Sequence, residues 1–263
     1  MQSTENTNEW INWIKEAISK GYYRFYEHKY FSKVQRIGAG GFGKVYRVNW
    51  KNSEQCLALK SFFDLSNITA KEIVHELKLQ RDIQFHNNII KFYGIAQFDP
   101  ENQDSQSKNY LLVMEYADSG TLKNYLKENF NNLTWDNKYN LAYQLTCAES
   151  CLHNEGIVHH DLHSDNTWSS NERSDIYSVG VPFWEISSGQ QPFSTEEYDI
   201  ELVLEISQGR REKPIPNTPE NYIKIYTECW DGEPDNRPTI NQVLERLGEI
   251  MIKTNIITEN YQK

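Results

Sequence analysis

The glycine-rich segment Gly38-Ala39-Gly40-Gly41-Phe42-Gly43 constrains the fold more than any other feature of this 263-residue chain. In a dinucleotide-binding fold, glycines at this spacing lead directly into a helix. Here they lead into residues 44–50, where Tyr46, Val48 and Trp50 alternate with polar residues, as expected for a strand. The pattern therefore predicts a glycine-lined turn between two strands.

The next predicted strand places a lysine on a defined face. In Leu57-Ala58-Leu59-Lys60, side chains alternate, so Ala58 and Lys60 share one face. A small residue beside an inward lysine suits a flat base and a phosphate group, and glycines let backbone amides approach phosphate oxygens. Glu76, on a helix predicted over residues 69–82, could orient the Lys60 ammonium group. The alternative is a plain hairpin with a surface lysine and a solvated glutamate.

The pattern then changes along the chain from strands to helices. Alternating apolar residues predict three antiparallel strands between residues 31 and 63, and two more strands over residues 89–93 and 110–115. After Gly120, apolar residues recur at helical spacing, which predicts helices over residues 122–129, 135–155, 175–188, 201–208, 221–229 and 240–250. A sheet-rich first third before a helical remainder indicates a two-lobed α+β protein.

An amphipathic helix is predicted ahead of the first strand. One apolar stripe at helical spacing is formed by Trp10, Trp13, Ile14, Ala17 and Ile18. We expect this stripe to pack on the body of the domain. Docking of a partner protein is the alternative.

Composition excludes several classes of protein. A net charge of −10 without a long Lys/Arg cluster argues against non-specific nucleic-acid binding. No apolar run approaches the roughly 20 residues of a membrane span, and the first residues lack the basic start and apolar stretch of a signal peptide. The cysteines form no Cys-x-x-Cys pair, so we expect reduced thiols at Cys56, Cys147, Cys151 and Cys229. We therefore expect a cytoplasmic protein that binds neither nucleic acid nor membrane.

A loop rich in histidine and acidic residues covers residues 157–166. Asp161 could accept a proton from a hydroxyl group, and Asn166 could offer a carbonyl oxygen to Mg²⁺. The alternative is a transition-metal cluster, which would use His159, His163 and Asp165.

Together and in this order, these motifs resemble the protein kinase family over about residues 31–250. The segment Val113-Met114-Glu115-Tyr116-Ala117 resembles the hinge between kinase lobes, with Met114 at the gatekeeper position. Cys229-Trp230, followed by Pro234, Arg237 and Pro238, is similar to the late signature of tyrosine kinases and tyrosine-kinase-like serine/threonine kinases. The latter group is the best match.

The resemblance implies an α+β, two-lobed protein kinase-like fold. A small lobe with an antiparallel sheet and one helix would cover residues 31–116, and a large, mainly α-helical lobe residues 117–250. An N-terminal helical extension would precede them (residues 1–30), and a C-terminal tail would follow (residues 251–263).

The resemblance also implies transfer of the ATP γ-phosphate to Ser or Thr hydroxyls of signalling proteins, with Tyr as the second choice. Lys60 would pair with the phosphates and Glu76, Asp161 would be the catalytic base, and Asn166 would bind Mg²⁺. Backbone groups near Glu115 and Ala117 would bind the adenine edge. The implied ATP-binding residues are Gly38, Ala39, Gly40, Gly43, Val45, Ala58, Lys60, Glu76, Met114, Glu115 and Ala117.

The chain departs from the family between Asn166 and Asp175. Only eight residues, 167–174, separate them, where a complete kinase has several dozen. The Asp-Phe-Gly motif, with the aspartate that holds the principal Mg²⁺, is absent there, as are the activation segment and Ala-Pro-Glu. Arg237 normally pairs with the glutamate of Ala-Pro-Glu, so we expect it to be hydrated or to have substitute partners.

Three explanations remain open. The chain is a kinase with weakened Mg²⁺ binding and impaired activity, or a pseudokinase that acts as a nucleotide-binding or scaffold module. Alternatively, a skipped exon removed one block from the sequence, and the real product is a complete kinase.

Overall fold

The structure, a computed structural model, divides the chain into two compact units. The N-terminal unit is Met1–Asp118, and the C-terminal unit is Ser119–Lys263. The structure describes residues 2–40, 43–51, 54–62, 74, 77, 83, 86–97, 100, 110–157 and 172–256.

Within the described residues, the N-terminal unit is built on a six-stranded sheet with the order β1-β5-β6-β4-β3-β2. The short β1 runs parallel to β5, and the other neighbouring pairs are antiparallel. The strands are β1 (Phe25–Tyr26), β2 (Phe31–Gly40), β3 (Gly43–Trp50), β4 (Cys56–Phe62), β5 (Phe92–Gln97) and β6 (Tyr110–Glu115). The predicted antiparallel strands are therefore confirmed.

The strand predicted over residues 89–93 was placed too early. The Ile89 N–H donates to the carbonyl of His86 at 3.2 Å, so this stretch turns before the strand begins at Phe92. Ile90 is exposed. The apolar Ile89-Ile90 pair suggested a strand, but the preceding Asn87-Asn88 favours a turn.

The N-terminal helix α1 (Gln2–Ser19) packs on its own unit, as predicted. Ile14 and Ala17 are buried in one cluster with Tyr23 and Leu77, and Trp13 and Ile18 pack against it. The Tyr23 hydroxyl donates a hydrogen bond to the Leu77 carbonyl at 3.2 Å. The side chain of Trp10 lies outside the described residues.

The helix predicted over residues 69–82 is described at only a few positions. Val74, Leu77 and Ile83 are helical and buried. Glu76 lies outside the described residues. This stretch and α1 cover the same part of the sheet, because Val74 and Leu77 belong to the cluster that contains Ile14.

The described part of the C-terminal unit is mainly helical. Thr121, Thr134, Asp199 and Thr239 each cap a helix by accepting a hydrogen bond from a backbone N–H in its first turn. The helices are α2 (Leu122–Asn129), α3 (Trp135–Asn154), α4 (Glu172–Ser188), α5 (Ile200–Ser207), α6 (Glu220–Cys229) and α7 (Ile240–Lys253). All six predicted helices are confirmed, each within three residues at either end.

Aromatic packing joins these helices. The fully buried ring of Tyr222 contacts Tyr139 edge-on at 5.5 Å and stacks on Phe183 at 5.8 Å between ring centroids. Its hydroxyl donates to the Phe183 carbonyl at 3.0 Å, so the buried polar group is satisfied. Tyr222 thus ties α6 to both α3 and α4.

Two expectations from composition can be compared with the fold. All four cysteines are free, as predicted; Cys229 is buried, and the other three are half-buried. Among the helices of the described residues, none has both the length and the apolar character needed to cross a bilayer.

Replacing Gly94 with Ala should destabilise the N-terminal unit. Gly94 has φ +150°, and an added Cβ would lie 2.1 Å from the Arg24 carbonyl oxygen, which also accepts a hydrogen bond from the Ile95 N–H. We expect Gly94→Ala to lower the free energy of unfolding by about 2–3 kcal/mol in urea titrations. Gly232→Ala is the control, since its added Cβ has no atom within 4 Å in the part of the chain that the structure describes. Equal unfolding midpoints for both variants would contradict this packing.

Candidate active site

The pairing of three strands decides which side chains share a face of the sheet. Val45 on β3 lies opposite Lys60 on β4, and Lys60 lies opposite Leu112 on β6. Directly paired residues point to the same face, as do residues two apart along a strand. Ala58, which pairs with Arg47 and Met114, is therefore on this face as well. We call Val45, Arg47, Ala58 and Lys60 the Lys60 face.

The glycine segment forms a hairpin at the edge of this face. β2 ends at Gly40 and β3 begins at Gly43, and these two glycines pair with each other. Gly38 pairs with Val45, so the hairpin continues the row that contains Lys60. An added Cβ at Gly38 would meet no atom of the described residues within 4 Å. The predicted strand–turn–strand arrangement is confirmed, and a helix after the last glycine is excluded.

Packing on the opposite face of the sheet determines which way the Lys60 side chain points. Tyr46, Val48, Leu57 and Leu59 are buried there in one apolar cluster. A slip of one residue in register would exchange the faces, exposing Leu59 and placing the Lys60 ammonium group in this cluster. Burial of the leucines thus keeps Lys60 on the other side.

The residues predicted as a hinge, 113–117, include the last three residues of β6 and the two that follow it. The Glu115 N–H donates to the Lys91 carbonyl at 2.8 Å, and the Lys91 N–H donates to the Glu115 carboxylate at 3.2 Å. The Arg47 guanidinium lies 5.3 Å from the centre of the Tyr116 ring. Met114 is half-buried, and Ala117 is exposed. This end of β6 is therefore anchored both to the start of β5 and to the Lys60 face.

Several predicted site residues lie outside the described residues. These are Glu76, Asp161 and Asn166, together with the alternative metal ligands His159, His163 and Asp165. The pairing of Lys60 with Glu76 and the roles of Asp161 and Asn166 therefore stay predictions. The structure does bring together the predicted residues of β2, β3, β4 and β6.

A buried polar cluster joins α3 to α4 in the C-terminal unit. The Nε2 atom of His153 lies 3.1 Å from Oδ2 of Asp175 and 3.6 Å from Oε1 of Glu149. Glu149 and Asp175 are each only 2% exposed. None of these three residues was among the predicted site residues. For Glu149, the available signal was its position four residues before His153, as the one charged residue of 139–152.

Burial strongly affects the protonation of this cluster. Burial, reinforced by the charge of Asp175, raises the pKa of Glu149 to about 7. Burial alone would lower the pKa of His153, but its hydrogen bond to Asp175 and the negative charge of Glu149 raise that pKa above the ordinary value. Protons and charges are therefore coupled across these three groups.

Arg237 has substitute partners, as predicted. Its guanidinium donates to the carbonyls of Asp231 at 2.8 Å, Arg173 at 2.7 Å and Gly232 at 3.3 Å. Arg173 in turn donates to the Arg237 carbonyl. The Tyr177 ring lies 5.1 Å from the Arg237 guanidinium carbon, a distance typical of a cation–π contact. Backbone carbonyls thus take the place expected for a glutamate.

Removing this arginine should destabilise the C-terminal unit. We expect Arg237→Ala to lower the free energy of unfolding by about 2–3 kcal/mol, because three carbonyls lose a charged donor. Arg210→Ala is the matched control: Arg210 pairs with Glu196 and Glu205 at the surface, where such pairs contribute about 0–1 kcal/mol. Urea denaturation of both variants measures the difference, and equal losses would contradict the assigned role of Arg237.

Comparison with known proteins adds independent information. A family profile described as "Protein kinase domain" matches residues 31–173, and one described as "Protein tyrosine and serine/threonine kinase" matches residues 166–247. The chain is 29% identical to mitogen-activated protein kinase kinase kinase 10 of Xenopus laevis, over 81% of this chain and 26% of that protein. It is 25% identical to stress-activated protein kinase alpha of Dictyostelium discoideum, over 86% of this chain and 43% of that protein.

The human mitogen-activated protein kinase kinase kinase 10 is 27% identical, over 80% of this chain and 27% of that protein. The chain thus spans less than half the length of these three relatives. The first profile alone covers more than half of the chain, and it includes the glycine hairpin and Lys60. With its two-lobed α+β architecture, this chain belongs to the protein kinase family.

Proposed function

We propose that the chain binds ATP on the Lys60 face and is a serine/threonine-type protein kinase domain whose phosphotransfer is impaired in the sequence as it stands. The observation that carries this proposal is the common face of Val45, Ala58 and Lys60, next to the glycine hairpin. Such a face offers an apolar residue and a small residue to a sugar–base unit and a cation to the phosphates.

Each of these residues has a separate part in binding. Ala58 is small enough to leave room for a flat base beside Met114, and Val45 would cover the base from the neighbouring strand. Lys60 would neutralise phosphate oxygens, and the hairpin at Gly38 would bring backbone amides close to them. The proposed ATP contacts are those predicted above, including the backbone near Glu115 and Ala117.

Impaired transfer follows from the short segment between Asn166 and Asp175. Mg²⁺, when bound, supplies charge neutralisation between the terminal phosphates. Asn166 remains as a ligand in the sequence, and Asp161 remains as the proposed base, but the aspartate of Asp-Phe-Gly has no counterpart. We therefore expect weakened Mg²⁺ binding, with ATP bound less firmly at its phosphate end.

The second candidate is a pseudokinase that acts through partners. The contacts of Arg237 favour it, since carbonyls of its own unit replace the glutamate that the activation segment supplies in complete kinases. The contacts around Arg237 would then stabilise this part of the C-terminal unit without an activation segment. Either way, we propose a cytoplasmic role in signal transduction, with a protein as substrate or partner.

ATP should stabilise the protein, and this effect should depend on Lys60. In thermal-shift titrations, ATP at about 100 times its Kd should add about 2.7 kcal/mol to the free energy of unfolding. Lys60→Met keeps the aliphatic length and removes the charge, so we expect at least about tenfold weaker binding, equivalent to about 1.4 kcal/mol. Lys51→Met, in the exposed turn after β3, is the matched control and should bind like the unsubstituted chain. An unchanged affinity in Lys60→Met would contradict ATP binding at this face.

Phosphotransfer should be very slow. With radiolabelled ATP and Mg²⁺, we expect little autophosphorylation, because one of the two metal-binding positions is absent. Robust, Mg²⁺-dependent incorporation of phosphate that Asp161→Asn abolishes would overturn the impairment but not ATP binding. Sequencing the transcript across codons 166–175 would test the skipped-exon explanation separately.

A further inference from the structure

The buried cluster of Glu149, His153 and Asp175 has the composition of a metal centre. Each residue offers one ligand atom, and the three atoms lie within 4.8 Å of one another. Glu149 and His153 are four residues apart on α3, so their side chains lie on one face of the helix. Asp175, in the first turn of α4, approaches from the neighbouring helix.

The distances between these atoms suit a small cation. Zinc lies about 2.0–2.2 Å from nitrogen and oxygen ligands, so two ligands of a tetrahedral site are about 3.4 Å apart. The two measured separations from His153 Nε2 are 3.1 Å to Asp175 and 3.6 Å to Glu149, on either side of that value. Both separations from the histidine nitrogen are therefore close to the spacing of ligands around one zinc ion, and all three atoms lie within 4.8 Å of one another.

Among the described residues, one carboxylate oxygen of the cluster has no hydrogen-bond partner. This atom is Oε1 of Glu149, a residue that is only 2% exposed. A buried polar atom without a partner usually costs about 1–3 kcal/mol. This atom lies 3.6 Å from His153 Nε2 and therefore points into the cluster. This oxygen without a partner is an observation, separate from the ligand spacing, that favours a bound cation at the cluster.

A divalent cation would also balance the charges of the cluster. With zinc bound, the two almost fully buried carboxylates are ionised and the imidazole is neutral. The charge of +2 then balances both carboxylates and takes the place of the protons that Glu149 and His153 hold without the ion. Imidazole nitrogen with carboxylate oxygens suits Zn²⁺ and similar first-row ions better than Mg²⁺, which prefers an all-oxygen set.

We propose that Glu149, His153 and Asp175 form a Zn²⁺ site that links the end of α3 to the start of α4. These residues stand on either side of the segment 154–174, which contains Asp161 and Asn166. A bound ion would tie the two ends of that segment together. The site is separate from the Mg²⁺ proposed to accompany ATP, and it does not depend on the proposed function.

The test measures zinc directly on the full chain without an affinity tag. After incubation with ZnCl₂ and desalting, elemental analysis should find about one zinc per chain. Thermal melting should shift upward with ZnCl₂ and return after addition of EDTA, while excess MgCl₂ should not displace the zinc. Glu149→Gln, which is isosteric, should weaken zinc binding at least tenfold, and His153→Gln should do the same.

A matched control separates this site from the nearby thiols. The double variant Cys147→Ser/Cys151→Ser leaves the three proposed ligands intact and should retain zinc. Circular dichroism of Glu149→Gln checks that loss of zinc is not loss of fold; if that variant unfolds, His153→Gln supplies the comparison. Zinc binding equal to that of the unsubstituted chain in both ligand variants would overturn the proposal. So would a Glu149→Gln chain that is more stable than the unsubstituted one while ZnCl₂ has no effect on either, which would indicate a proton shared by the carboxyl groups.

Discussion

The backbone register between β3, β4 and β6 is the constraint on which the candidate site depends. It aligns Val45, Lys60 and Leu112 across three strands and places Ala58 two residues from Lys60 on the same face. The register is fixed less by the site than by the opposite face, where Leu57 and Leu59 are buried. Because side chains alternate strictly along a strand, burial of those leucines decides where the lysine points.

In the C-terminal unit, other groups make the contacts with Arg237 that we expected of a glutamate. Arg237 is held by carbonyl oxygens and the Tyr177 ring, and none of these groups requires an activation segment. Elsewhere in this unit, a buried glutamate stands beside a His–Asp pair. Both sets of contacts are formed among the described residues of this unit. They are consistent with a unit whose fold is supported by contacts of its own.

Much of this could be predicted from the sequence, for physical reasons. Strand alternation placed Ala58 and Lys60 on one face, and helical spacing located α2 to α7, because periodicity records which side is buried. The predicted start of β5, at residue 89, was wrong. Ile89 and Ile90 are apolar, but they follow Asn87-Asn88, which favours a turn. The turn propensity of the two asparagines therefore outweighed the apolar character of the two isoleucines.

Other features could not be predicted from the sequence. The contact between Tyr23 and Leu77 joins residues 54 apart, and the carbonyls around Arg237 come from two separate segments. Glu149 could have been noticed as the one charged residue of 139–152, but its proximity to Asp175 depends on how α3 and α4 pack. Such contacts depend on three-dimensional packing rather than on spacing.

Chemical labelling of lysines is a direct test of ATP binding at the Lys60 face. An acyl-phosphate derivative of ATP transfers its acyl group to a lysine amine near the bound phosphates, and mass spectrometry identifies the labelled peptide. We expect preferential labelling of Lys60, prevented by excess ATP. Labelling spread over exposed lysines such as Lys51 and Lys91, with Lys60 unlabelled and no protection by ATP, would contradict it.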